Sequence, residues 1–138
     1  MSLTILLFAA HQRMVQLFDR ELATDGVEAD GFAALSLIGV RGSIRLTQLS
    51  DELGSPLTTT SDVVRRLEAR GHVRRRANPE DGRSFLFELT ARGDREWRRG
   101  WGAIDRILSG LRRDLDEEVV RTALEDLNAA FDRALTQG

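Results

Sequence analysis

Gly54-Ser55-Pro56 cuts a stretch of helical periodicity in two, and the cut is only three residues wide. A turn this short leaves the helices on either side packed against one another. Before the cut, Leu46-Thr47-Gln48-Leu49 opens a short helix, with Thr47 in the capping position and Leu49 and Leu53 facing inward. After it, residues 58–70 predict a 13-residue helix stopped by Gly71. Such a helix is about 20 Å long. Thr58 to Ser61 are β-branched or hydroxyl residues, weak inside a helix but suited to its first turn, which places the start at Thr58.

Residues 73–77 and 84–89 then read as strands. Asn78-Pro79-Glu80-Asp81-Gly82 between them is rich in turn formers, so the pair is a β-hairpin with a basic tip. A helix-turn-helix followed by a hairpin is a winged arrangement. Upstream, residues 3–22 repeat apolar side chains at Leu3, Leu6, Leu7, Ala10, Met14, Leu17, Phe18 and Leu22, a helix ended by Thr24-Asp25-Gly26. A second helix starts near Asp30, taken as its N-cap, and runs through Phe32, Leu35 and Ile38 to an end bracketed by Gly39 and Gly42. Downstream, Thr90 caps a long helix with the stripe Trp97, Trp101, Ile104, Leu108 and Leu111. After Asp116 a last helix carries Val120, Leu124, Leu127, Phe131 and Leu135. The fold class expected is mainly α with a small β-wing. One domain, 1–138, holds a winged lobe at 30–99, its wing at 72–90, and flanking dimerisation helices at 1–24 and 100–138.

Charge is unevenly spread. Residues 1–40 and 100–138 each carry a net −3, whereas residues 41–99 carry +4. A basic middle between acidic ends suits a polyanionic partner. All 20 basic residues are arginine, the side chain that bonds phosphate and guanine bidentately. The absence of cysteine excludes disulfides, thiolate metal sites and thiol redox sensing. Two scattered histidines, His11 and His72, offer no metal set, so neither metal nor cofactor is expected. No nucleophile–base pair or phosphate loop stands out, which argues against an enzyme. The longest apolar run, Ile5 to Ala10, is too short to span a membrane and lacks the flanks of a signal peptide; a cytoplasmic protein is expected.

With Leu67 at zero on a helical wheel, Thr60, Val63 and Val64 fall within about 60° and form a buried face. Thr58, Ser61, Asp62, Arg65 and Ala69 lie opposite, with Arg66 on the flank. Hydroxyls followed by arginines can bond base edges and phosphates. Small side chains let the helix sit deep in a major groove about 12 Å wide.

Residues 46–54, residues 65–73, Asn78-Pro79-Glu80-Asp81-Gly82-Arg83-Ser84 and Leu89-Thr90-Ala91-Arg92-Gly93 together resemble the multiple antibiotic resistance regulator (MarR) family. The resemblance implies a homodimeric, sequence-specific regulator of transcription, a repressor of pseudo-palindromic operators in double-stranded DNA. It implies that the recognition helix enters the major groove and the wing the adjacent minor groove. Arg83 matches the family's wing arginine, and Asp81 the aspartate that orients it. The DNA-contacting set is then Thr47, Gln48, Thr58, Thr59, Ser61, Asp62, Arg65, Arg66, Arg76, Arg83 and Ser84. Two departures stand out. Many relatives carry a basic residue at the position of Asp62, whose carboxylate either accepts from cytosine N4 or pairs with Arg65 or Arg66. Pro56-Leu57 also shifts the turn by about one residue. A winged module that binds protein and not DNA is the alternative, and retention of DNA fragments at low salt separates the two.

A first helix of about 30 Å and two apolar last helices leave more apolar surface than one chain covers, so a dimer built from the chain ends is expected. The resemblance also implies a small-molecule effector pocket between the dimer region and the DNA-binding lobe. Its candidates are His11, Met14, Phe18, Phe32, Trp97 and Trp101, each of which fits plain core or interface better than an effector pocket.

Overall fold

The computed structural model describes residues 1–22 and 27–137. Its elements in chain order are α1 (Leu3–Leu22), α2 (Ala29–Arg41), β1 (Ile44–Arg45), α3 (Leu46–Leu53), α4 (Leu57–Ala69), β2 (Val73–Asn78), β3 (Asp81–Leu89), α5 (Ala91–Arg112) and α6 (Glu117–Thr136). The fold is mainly helical with one small antiparallel sheet, as the sequence predicts. Thr24, Asp25 and Gly26, expected to end the first helix, lie outside the described residues. No helix among the described residues is long and apolar enough to cross a membrane.

The chain forms two compact units, Met1–Ile104 and Asp105–Gly138. The core of the first is built from Leu35, Ile38, Ile44, Leu49, Val64 and Leu67, all at most 2% exposed. These residues come from α2, β1, α3 and α4, so one apolar centre holds the helix-turn-helix together. The α3–α4 turn is fixed by polar bonds as well. Ser50 Oγ donates to the Ser55 carbonyl at 2.5 Å, and Thr60 Oγ1 to the Pro56 carbonyl at 3.1 Å. Gly54 takes a left-handed conformation, φ 68°, that a side chain at this helix end disfavours.

The sheet order is β1-β3-β2. β1 has only two residues, Ile44 paired with Phe87 and Arg45 with Leu86, and periodicity gives no sign of it. Two residues are too few to show alternation. Three helix starts also differ from expectation. α2 begins at Ala29 with Glu28 as N-cap, α3 begins at Leu46 with Arg45 as N-cap, and α4 begins at Leu57 after Pro56. None of these N-caps has a capping side chain, so a search for Ser, Thr or Asp before each helix misleads by one or two residues. Thr90 does cap as predicted, and Asp116, which the sequence marks only as preceding the last helix, is its N-cap. Thr90 Oγ1 accepts from Gly93 N at 3.0 Å, and Asp116 Oδ1 from Glu118 N at 3.1 Å.

Two aromatic–glycine approaches dock α5 on α2. A Cβ at Gly39 would lie 2.5 Å from the Trp97 ring, and one at Gly100 would overlap the Phe32 ring. Trp97 meets Trp101 edge to face, with ring centroids 5.3 Å apart. Gly100 therefore serves close packing.

His72 links α4 to β2. Its N–H donates to the Leu67 carbonyl at 2.9 Å, and the residue is 4% exposed. Burial holds its imidazole below the ordinary histidine pKa. Glu96 opposes that shift, while Arg92, Arg70 and Arg99 reinforce it. The folded state thus binds fewer protons than the unfolded chain just below the unfolded value of about 6.5. The stability His72 contributes is complete above that pH and falls as the solution is acidified through it toward the depressed folded value. Chemical denaturation from pH 7 to 5 should show this loss, and His72→Gln should flatten that part of the profile. An unchanged slope in the variant would assign the acid sensitivity to other groups.

In the second unit, Arg112 Nε donates to Glu117 at 2.5 Å across the α5–α6 turn, and Arg121 donates to the same carboxylate at 2.9 Å. Leu108, Leu111, Leu115, Val120 and Leu124 line an apolar groove of about 370 Å³. No residue of α6 is buried.

Candidate nucleic-acid interface

Helical geometry gives α4 three exposed strips beside its buried face of Thr60, Val63, Val64 and Leu67. The front carries Thr58, Asp62, Arg65 and Ala69, all exposed. One flank carries Ser61 and Glu68, which line a cleft of about 420 Å³ against the hairpin. The opposite flank carries Thr59 and Arg66 and turns toward α1 and α2. Thr59 lines a groove there, and Arg66 donates to Glu28 at 2.9 Å and Asp30 at 2.8 Å. The hydrogen bond to Asp30, followed by the Glu28 pair, raises the Arg66 pKa. Asp30, expected as a cap, thus holds an arginine of the recognition helix, and Arg66 braces α4 against the start of α2.

On the front, Arg65 Nη1 lies 3.2 Å from Asp62 Oδ1, with both side chains about two-thirds exposed. An exposed pair of this kind contributes little stability. It holds the Asp62 carboxylate and the Arg65 guanidinium as one unit. On α3, Thr47 is exposed and lines the cleft, while Gln48 Nε2 donates to Glu52 at 3.0 Å.

Strand alternation sorts the three consecutive arginines of β2. Arg74 and Arg76 face one way and share Glu88, at 2.8 and 3.0 Å. Arg76 first, then Arg74, holds the Glu88 pKa below the usual carboxylate value. Arg75 faces the other way, into the cleft. There it grips Glu68 at 2.8 and 2.9 Å and lies over the rings of Phe85 and Phe87, 5.2 and 5.5 Å from their centroids. Glu68 raises the Arg75 pKa. The contact set expected from sequence includes Arg76 and omits Arg75. The available signal is period two: Val73 is buried, so Arg75 shares its face and Arg76 does not. Arg45 also lines the cleft and is missing from that set, because nothing in the sequence pattern marks β1.

The hairpin tip is irregular in a useful way. Ala77 pairs with Phe85, but the next residue, Asn78, pairs with Asp81. Gly82, Arg83 and Ser84 therefore bulge out of the β3 side without partners in the ladder. Asp81 Oδ1 accepts from the backbone N–H of Arg83 at 3.0 Å, and Asn78 Nδ2 donates to Ser84 Oγ at 3.1 Å. Asp81 thus sets the main chain under Arg83 and leaves its guanidinium free. Arg83 has no side-chain partner among the described residues.

The six expected effector residues do not gather in one place. His11 and Met14 line the groove of about 660 Å³ that also takes in Thr59, Val63, Glu28 and Asp30. Phe18, Phe32 and Trp97 belong to the core, and Trp101 packs on Trp97 beneath Arg98.

The MarR family profile matches residues 29–85, the span from α2 through most of the hairpin. A solved structure described as a probable transcriptional regulator from Pseudomonas aeruginosa is 30% identical. The likeness covers 91% of this chain and 96% of that one, with a TM-score of 0.82. The chain belongs to the MarR family. A mutant MarR of Escherichia coli, solved in complex with operator DNA, is 25% identical over 93% of this chain and 92% of its own, with a TM-score of 0.80. An uncharacterized HTH-type transcriptional regulator, YfiV, of Bacillus subtilis (strain 168) is 32% identical over 56 residues, which are 41% of this chain and 35% of that protein. The match thus spans about a third of that curated relative. In this MarR-family chain the helix-turn-helix and hairpin flank one cleft.

Proposed function

We propose that the protein is a sequence-specific DNA-binding regulator of transcription, a homodimeric repressor in the cytoplasm whose hold on its operator responds to a small molecule. One observation carries this reading: the hydroxyl-and-arginine side of α4 and the arginine-bearing hairpin open onto the same cleft, with Arg45, Thr47, Ser61, Arg65 and Ser84 around it. A duplex lying across that cleft meets the front of α4 in its major groove and Arg83 in the adjacent minor groove. The protein acts by binding and carries no catalytic step.

Dimerisation draws support from surface that one chain leaves open. Leu3 and Phe8 of α1 are 64% and 66% exposed, and α6 buries nothing. Covering these faces with a second copy sets two recognition helices against two half-sites. The groove lined by His11 and Met14 is the best seat for an effector. It shares Glu28 and Asp30 with the Arg66 brace, so an occupant there acts directly on the placement of α4.

Selection of fragments from the source genome with purified protein tests the reading. A pseudo-palindromic site bound tightly at low salt, with affinity falling steeply as salt rises, is the expected result. Retention of no fragment at low salt would overturn it.

Asp62 supplies a sharper expectation. Replacing it with Asn removes a carboxylate facing phosphates and releases Arg65 to them. Affinity should rise several-fold for all sequences, with a salt slope steeper by about one for each phosphate that Arg65 newly bonds. A loss confined to sites with one particular cytosine would instead make Asp62 a base reader.

A further inference from the structure

Leu57 is the first residue of α4 and is 48% exposed. It stands outside the core cluster and outside the residues that line the cleft and the α1–α2 groove. On the helical wheel it stands about 80° from Leu67, on the same strip as Ser61 and Glu68, two of the α4 residues that line the cleft. It is an apolar side chain at the N-terminal tip of that strip. Residues at this end of a recognition helix meet base edges directly.

The preceding Pro56 explains why the leucine is presented there. The proline serves as N-cap with ψ 147°, and helical geometry begins at Leu57 itself. The apolar group therefore leads the helix, ahead of Thr58. In the major groove, only thymine offers an apolar patch, its C5-methyl group. A leucine at this position gains nothing from phosphates or from guanine, and a cytosine amino group against it loses a water partner.

Resting on the reading of the protein as a DNA-binding regulator, we propose that Leu57 reads the methyl group of one thymine in each half-site. It is a specificity-determining residue to which the sequence patterns assign no role. Burial of one methyl group accounts for roughly fourfold in affinity. Two half-sites read together then give about fifteenfold.

The test is a thymine-to-deoxyuracil scan of the genome-selected operator, which deletes one methyl at a time and leaves base pairing intact. Binding is measured for the full-length wild type and for Leu57→Ala, whose change lies outside the core. The expected result is one thymine per half-site at which uracil weakens the wild type about fourfold. At that thymine Leu57→Ala should bind both operators equally. A merely structural effect of the variant on α4 would weaken both operators in proportion and keep the uracil penalty. That outcome overturns the proposal, as does a wild type indifferent to uracil at every position. A wild type that retains no DNA fragment overturns the regulator reading and this inference with it, so the two failures are distinct.

Discussion

Arg83→Ala should weaken operator binding by about 1–3 kcal/mol at each wing, more than tenfold for a dimer even at the lower bound. The variant should elute and melt like the wild type. The reason lies in how the side chain is held. Arg83 sits in a bulge outside the ladder, its backbone fixed by Asp81 and its guanidinium unengaged. A narrow minor groove focuses negative potential and favours an inserted arginine. No internal ion pair has to be broken to make that contact. The neighbouring arginines differ: Arg66 is held by two carboxylates, Arg75 by Glu68, and Arg76 shares Glu88 with Arg74. Arg76→Ala should therefore have the smaller effect, and Asp81→Ala should fall between, because it loosens the bulge without removing the cation. Fluorescence anisotropy on the selected operator at two salt concentrations checks the order. An Arg83→Ala protein with wild-type affinity would sink the assignment of the hairpin to the minor groove.

The helices announce themselves in the sequence because each has an apolar stripe long enough to reveal its period. The buried face of α4 is legible for the same reason: Thr60, Val63, Val64 and Leu67 are the four buried residues of that helix. The hairpin is legible from its turn formers, although the strands extend to Asn78 and from Asp81 and leave only Pro79 and Glu80 in the turn. Features that rest on pairing across the fold stay hidden. β1 is defined by its partners on β3, not by any pattern of its own. The Arg66 brace joins residues 36 and 38 positions apart in the chain, so no local window contains it. The sharing of Glu88 by Arg74 and Arg76, and the turning of Arg75 into the cleft, depend on the register of β2 on β3. The candidate interface is thus readable as a composition of hydroxyls and arginines. Which arginines are free and which are engaged is not.

Gly93→Ala should destabilise the first unit by about 3 kcal/mol, the largest stability effect expected of a single methyl group here. Gly93 lies in the first turn of α5, where a Cβ would overlap the backbone carbonyl of His72. That carbonyl is pinned from the other side, since it accepts from Thr90 N at 3.1 Å. The adjacent Gly71 carbonyl accepts from Thr90 Oγ1 at 2.6 Å. A side-chain neighbour could rotate away, whereas this carbonyl, bonded to Thr90 N and followed directly by β2, moves only with the backbone that leads into the strand. Relief of the clash therefore requires lifting the start of α5 from the root of the hairpin, which exposes Val73 and loosens the base on which Arg83 is carried. Gly110→Ala is the matched control. It sits in the same helix with no atom within 4 Å of its would-be Cβ. Without a clash, alanine's higher helix propensity should stabilise the protein by about 0.5–1 kcal/mol. Urea denaturation of both variants, read by far-ultraviolet circular dichroism, which reports the helices of both units, should move the midpoints in opposite directions. Equal shifts would mean that helix propensity, not the contact between α5 and the hairpin root, governs both positions.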